Sequence, residues 1–201
     1  IETKINRHAD YSSIVEFYVT ASKDIDDFGN VYDIVAELSG AFTHVPLMGS
    51  INDIPNYYFD DRSANAGQAH WLVAEEVNSI GNALGIEPSE LTDFDTLVIL
   101  ENVDVNKAYR GHRLALRLMR EIAYIFTRSH ALYVLKAHPT GEDIDVTDDD
   151  CRRLAEYYSS DEDLGFKAVN PKEFPGWLVS SGSVGLEDSE DSRYFESHIP
   201  D

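Results

Sequence analysis

The segment from Asp95 to Arg128 constrains the fold more than any other part of the chain. Asp95 to Val105 is rich in β-formers and reads as the clearest strand. Tyr109-Arg110-Gly111 is a tight connection. Gly111 to Arg128 follows as the clearest helix, with Ala115, Leu118, Met119, Ile122 and Phe126 on one apolar stripe. A second short apolar strand, Ala131 to Ala137, comes next. A helix that crosses between two strands normally makes them parallel neighbours and packs on the face of their sheet. The expected class is therefore α/β, a mixed sheet flanked by helices, and not a bundle or a sandwich.

Elsewhere the signals are weaker. Ser12 to Thr20 alternates, with Val15, Phe17 and Val19 on one face, and reads as a strand. Asp27 to Phe42 carries Val31, Ile34, Val35 and Leu38 at helical spacing and predicts an early helix. Thr43 to Asp61 reads as loop with a short strand near Tyr57-Tyr58-Phe59, and Ala69 to Leu84 as a helix ended by Gly85. Thr147 caps a helix whose first turn is Asp148-Asp149-Asp150 and which runs to Tyr158. Phe166 to Asn170 and Trp177 to Ser181 complete the strands. With no internal repeat and no linker, residues 1–201 are expected to form one domain. Its first part is 1–95, its second 96–181, and an acidic tail over 185–201 is expected to be mobile.

Charge narrows the partners. The net charge of −21 repels nucleic acid and anionic membrane and attracts cations, which favours a cationic partner; the alternative reading is a surface that serves solubility or salt adaptation. Cys151 is the single cysteine, which precludes an internal disulfide and fits a reducing compartment. No apolar run approaches the roughly 20 residues that cross a bilayer. The first residues, Ile1-Glu2-Thr3-Lys4, lack the pattern of a signal peptide, so a cytoplasmic location is expected. The oligomeric state stays open, a homodimer among the options. No His-x-x-x-His or Cys-x-x-Cys spacing points to a metal, and no Gly-x-x-x-x-Gly-Lys-Ser/Thr loop points to a nucleoside triphosphate.

One stretch departs from the acidic average. Lys107, Arg110, Arg113, Arg117, Arg120 and Arg128 fall in 22 residues whose sole acid is Glu121. Within it the strand-to-helix turn places the unbonded first amides of a helix beside Arg110, His112 and Arg113, with Gly111 allowing close approach. That combination suits a phosphate or diphosphate.

These residues resemble the acetyl-CoA signature of the GNAT N-acetyltransferase superfamily, Arg/Gln-x-x-Gly-x-Gly/Ala within Tyr-Arg-Gly-x-Gly-x-Gly/Ala. Tyr109, Arg110, Gly111 and Ala115 match; Arg113 stands where the second glycine is usual. Downstream, Cys151-Arg152-Arg153-Leu154-Ala155-Glu156-Tyr157-Tyr158 and Leu164-Gly165-Phe166 resemble the family's Asn-x-x-Ala-x-x-Phe-Tyr-x-x-Leu-Gly-Phe. Here Cys151 replaces asparagine, Leu154 replaces a small alanine, and the gap after Tyr158 is longer by about three residues. The resemblance covers roughly Thr96 to Ser181. It implies a centrally splayed sheet, acetyl-CoA as cosubstrate and a small-molecule or protein amine as acceptor. Val103 and Val105 would pair with pantetheine, Arg110 to Ala115 (with His112, Arg113 and Leu114) would hold the diphosphate, and Tyr158 would protonate the departing thiolate. Glu101, two residues before Val103 and so expected on the same face, becomes the base candidate. The competing expectation is an inactive acidic interaction protein on such a scaffold, imitating DNA or binding a basic partner.

Overall fold

The computed structural model describes residues 1–7, 14–25, 31–44, 59, 63–126, 130–139 and 146–182. The strands are β1 (Glu2–Arg7), β2 (Ile14–Ile25), β3 (Val31–His44), β4 (Thr96–Val105), β5 (Ala131–Lys136), β6 (Lys167–Ala168) and β7 (Trp177–Ser180). The helices are α1 (Ala64–Glu75), α2 (Val77–Leu84), α3 (Leu114–Ile125) and α4 (Asp148–Ser159). All seven strands join one sheet in the order β1-β2-β3-β4-β5-β7-β6. β4 and β5 run parallel, joined by the α3 crossover, and the other neighbouring pairs are antiparallel. This is the mixed α/β sheet flanked by helices that the sequence implies.

The centre of the sheet is covered on both faces, which is why β4 and β5 read as nearly unbroken apolar runs. Val98, Leu100, Ala131, Tyr133 and Leu135 pack with α3, Tyr158 and Phe166. Leu97, Ile99, Leu132 and Val134 pack on the other face with Ala66, Ala69, Leu72 and Val73 of α1 and Ile80 of α2. Burying a side chain of this size stabilises the fold by about 1.5–3 kcal/mol.

The expected early helix over Asp27 to Phe42 is instead β3. The helical spacing of Val31, Ile34, Val35 and Leu38 comes from a bulge. Ala36 pairs with Ala21 and Ile34 with Ser22, so Val35 is an extra residue that shifts the alternation. Ladders on both sides and a β-branched run hold the segment extended. Likewise, one expected helix over Ala69 to Leu84 is two. α1 starts earlier, where Ser63 Oγ accepts the Ala66 amide at 3.0 Å, and the chain breaks at Glu76. Gly85 does stop α2, in the left-handed region at φ 74°. Of the stretch Tyr57-Tyr58-Phe59, only Phe59 is described, and it is helical and buried. Residues 140–145 and the tail 185–201 lie outside the described residues.

Candidate active site

β4 and β5 pair only from Thr96–Ala131 to Leu100–Leu135, whereas β4 stays paired with β3 as far as Val105–Ala36. Over residues 101–105 the edge of β4 that faced β5 therefore has no strand partner among the described residues. The strands part around a cavity of about 370 Å³, within the size range of small-molecule clefts. Glu101, Val103, Val105, Tyr109, Arg110, Gly111, Arg113, Leu114, Ala115 and Tyr158 line it; His112 is exposed and is not among the lining residues.

A second bulge decides which way the β4 side chains point. Ser39 pairs with Asn102 and Gly40 with Leu100, so Glu101 is the extra residue. Before it, Val98 and Leu100 face α3; after it, the odd-numbered Val103 and Val105 do. Glu101 does not share their face, contrary to simple alternation. Its carboxylate reaches the α1 side and accepts the Ser63 hydroxyl at 2.5 Å. It meets the cavity from the face opposite α3 and α4.

From β4 the chain turns through a short 3-10 segment, Lys107–Tyr109, set by the Asn106 side chain accepting the Ala108 amide at 3.1 Å. Gly111 and Arg113 are both left-handed, at φ 87° and 57°. A non-glycine residue there costs about 1–2 kcal/mol, so Arg113 holds the backbone a glycine would adopt, with strain. Its side chain lines the cavity and reaches Asp161 at 3.2 Å. No side chain caps α3, and the first amide of that turn with a backbone acceptor is Arg117, bonded to the Arg113 carbonyl at 3.1 Å. The amides of residues 111–116 are left without acceptors among the described residues. Arg110 bonds back to the Val105 carbonyl through Nε at 3.2 Å, joining the loop to the open strand end.

The far wall comes from α4. A capping box between Thr147 and Asp150 starts this helix, and the Thr147 donors hold the Asp150 carboxyl below its usual range. Tyr158 is buried, and burial, with a smaller contribution from Tyr157, pushes its phenol up to about 12. It is a protonated hydroxyl at neutral pH. Leu154 and Tyr157 also line the cavity. Cys151 is buried but does not line it, and burial raises its thiol.

Three groups escaped the sequence reading. His138, just beyond the end of β5, is exposed and also lines the cavity. Its Nδ1 lies 3.0 Å from the Pro139 carbonyl, which can only accept, so Nδ1 carries the proton and a neutral ring has Nε2 as its acceptor. Lys136 lies on the α1 side, 3.0 Å from Gln68 Oε1 and 5.5 Å from the Trp177 ring centre. Asp161 is buried and holds both Arg113 and Arg120. For His138 no sequence signal existed beyond its place after a strand. For Asp161 the long gap after Tyr158 was the signal.

The sequence matches no family model and no curated protein. Among solved structures, an Arabidopsis thaliana NAA60 in complex with a bisubstrate analogue is similar over 85% of this chain and 74% of its own, at 12% identity and a TM-score of 0.35. A likeness at that level bears on neither family nor chemistry. Among the described residues no helix is long and apolar enough to cross a membrane.

Proposed function

We propose that the chain is an N-acetyltransferase that passes an acetyl group from acetyl-CoA to a primary amine by direct attack in a ternary complex. One observation carries the reading: the end of β4 beyond its pairing with β5 and the turn into α3, whose amides lack acceptors among the described residues, line the same cavity. An extended pantetheine arm carries amides that can continue the β4 ladder, at about 0.5–1.5 kcal/mol per net hydrogen bond. A diphosphate fits the amides of 111–116, flanked by Arg110 and Arg113. Leu114, Ala115, Met119 and Leu154 supply apolar lining between them.

Acetyl-CoA supplies the thioester carbonyl. A backbone N–H on the open edge near Val103 serves as the oxyanion donor. The amine nitrogen forms the new bond to the acetyl carbon as the carbon–sulfur bond breaks. The amine loses a proton to a base, and the sulfur gains one from Tyr158, whose hydroxyl is protonated at neutral pH and lines the cavity. Two cavity groups can act as the base. Glu101 is oriented by Ser63, and His138 presents Nε2 once Nδ1 is engaged.

The test is a calorimetric titration with acetyl-CoA, followed by CoA release over a panel of primary amines. Ligand at 100 times its Kd should stabilise the fold by about 2.7 kcal/mol. No heat and no melting shift at millimolar acetyl-CoA or any other acyl-CoA would overturn the proposal. The interaction-protein reading, motivated by the charge of −21, expects that null result together with salt-sensitive capture of a basic partner.

A further inference from the structure

Two departures from the glycine-rich pattern meet in space. Arg113 stands where glycine is usual, and the long gap after Tyr158 contains Asp161. Asp161 is 1% exposed, and its place is fixed by the turn it begins: its carboxylate accepts the Leu164 amide at 3.3 Å and its carbonyl the Gly165 amide at 3.1 Å. A carboxylate this deep is tolerated only when paired and hydrogen-bonded. Arg120 meets that need alone, with Nε 3.3 Å from Oδ1 and Nη2 2.8 Å from Oδ2. Arg120 also reaches Asp163 at 3.0 Å.

Arg113 is therefore not required to neutralise Asp161. It donates through Nη2 at 3.2 Å, while its side chain is 55% exposed and lines the cavity beside the unbonded amides. A guanidinium has five N–H donors in a fixed planar arrangement. Tethering one leaves four on a side chain that lines the cavity. Glycine would relieve the left-handed backbone, yet arginine is present.

We infer that Asp161 is a positioning residue for cosubstrate binding: it holds the Arg113 guanidinium where that side chain meets the diphosphate of the acyl-CoA. The inference rests on the acyltransferase reading of the same site and adds a determinant of cosubstrate affinity. The close approach that glycine would allow is exchanged for a charged side chain, and the longer gap provides its anchor.

The test is calorimetric titration of CoA and 3′-dephospho-CoA into the full chain and the variants Arg113→Gln, Arg113→Gly, Asp161→Asn and Arg113→Gln/Asp161→Asn. Arg113→Gln should weaken both ligands by about tenfold and flatten the dependence of affinity on salt. Arg113→Gly should lose affinity similarly while melting higher, since its backbone is relieved. Asp161→Asn should lose several-fold, and the double variant should bind no worse than Arg113→Gln alone, because Asp161 acts through Arg113. If the unaltered chain binds CoA and Arg113→Gln or Arg113→Gly binds it equally well, the inference is overturned and the acyltransferase reading stands. A loss with unchanged salt dependence, or one that vanishes with 3′-dephospho-CoA, overturns it as well. Failure of the unaltered chain to bind any CoA removes both.

Discussion

From Thr96 to Leu100, β4 lies between β3 and β5, and every side chain is buried. From Asn102 to Val105 its strand neighbour among the described residues is β3, and the side chains from Glu101 onward are half-buried or exposed. The two halves differ by one bulge residue and by the loss of one neighbour. The first half spends its hydrogen-bonding capacity and apolar surface inside the molecule. The second retains an open ladder edge for something else. A strand can thus anchor a core and present a binding edge without any change of element.

Substitutions can break this contrast. The largest expected effect is at the sealed end: Ile99→Ala should destabilise by about 2–5 kcal/mol in denaturant titrations, because a fully packed side chain leaves a cavity. Val103→Ala at the open end should cost less than about 1.5 kcal/mol and show its main effect on acetyl-CoA affinity. Equal losses at both ends would remove the contrast.

The next effect concerns the phenol on the far wall. Folding raises the Tyr158 pKa from 10.0 to about 12, so its contribution is fully present below pH 10 and is lost as pH rises towards 12. That loss is on the order of 2–3 kcal/mol for about two pKa units. Tyr133 and Tyr157 are shifted the same way, so Tyr158→Phe should flatten the alkaline fall in stability in part. The same variant should lower turnover more than cosubstrate affinity. Unchanged turnover would take Tyr158 out of the acid role.

Smaller effects sharpen the edges of the site. Ser63→Ala removes the α1 cap and the partner of Glu101, and should cost about 1 kcal/mol in thermal melts. Gly111→Ala meets no atom within 4 Å but must hold φ 87°, so it should destabilise by about 1 kcal/mol by strain alone.

The second half of the chain was the more legible because its local signals agree with its tertiary roles. The β4 run, the α3 stripe and the Thr147 cap each stand on their own. β3 was misread because the bulge at Val35 imitates a helical period, and only partners far along the chain reveal it. The same physics misplaced Glu101: an extra residue in β4 cannot be seen in β4 alone. The gathering of Arg110, Gly111, Arg113, Ala115 and Tyr158 around one cavity could be anticipated from the motif spacing. The long gap after Tyr158 marks the place of Asp161 but not its partner, since an ion pair between residues 48 apart depends on how α3 and the turn after α4 dock.

The central claim is that an acyl-CoA adds to the open edge of β4 while its diphosphate takes the amides before α3. Amide hydrogen exchange with and without acetyl-CoA reads both segments at once. Protection should rise over residues 101–105 and 111–116 together, with little change over 96–100. Binding without protection at either segment, or no binding at all, would contradict it.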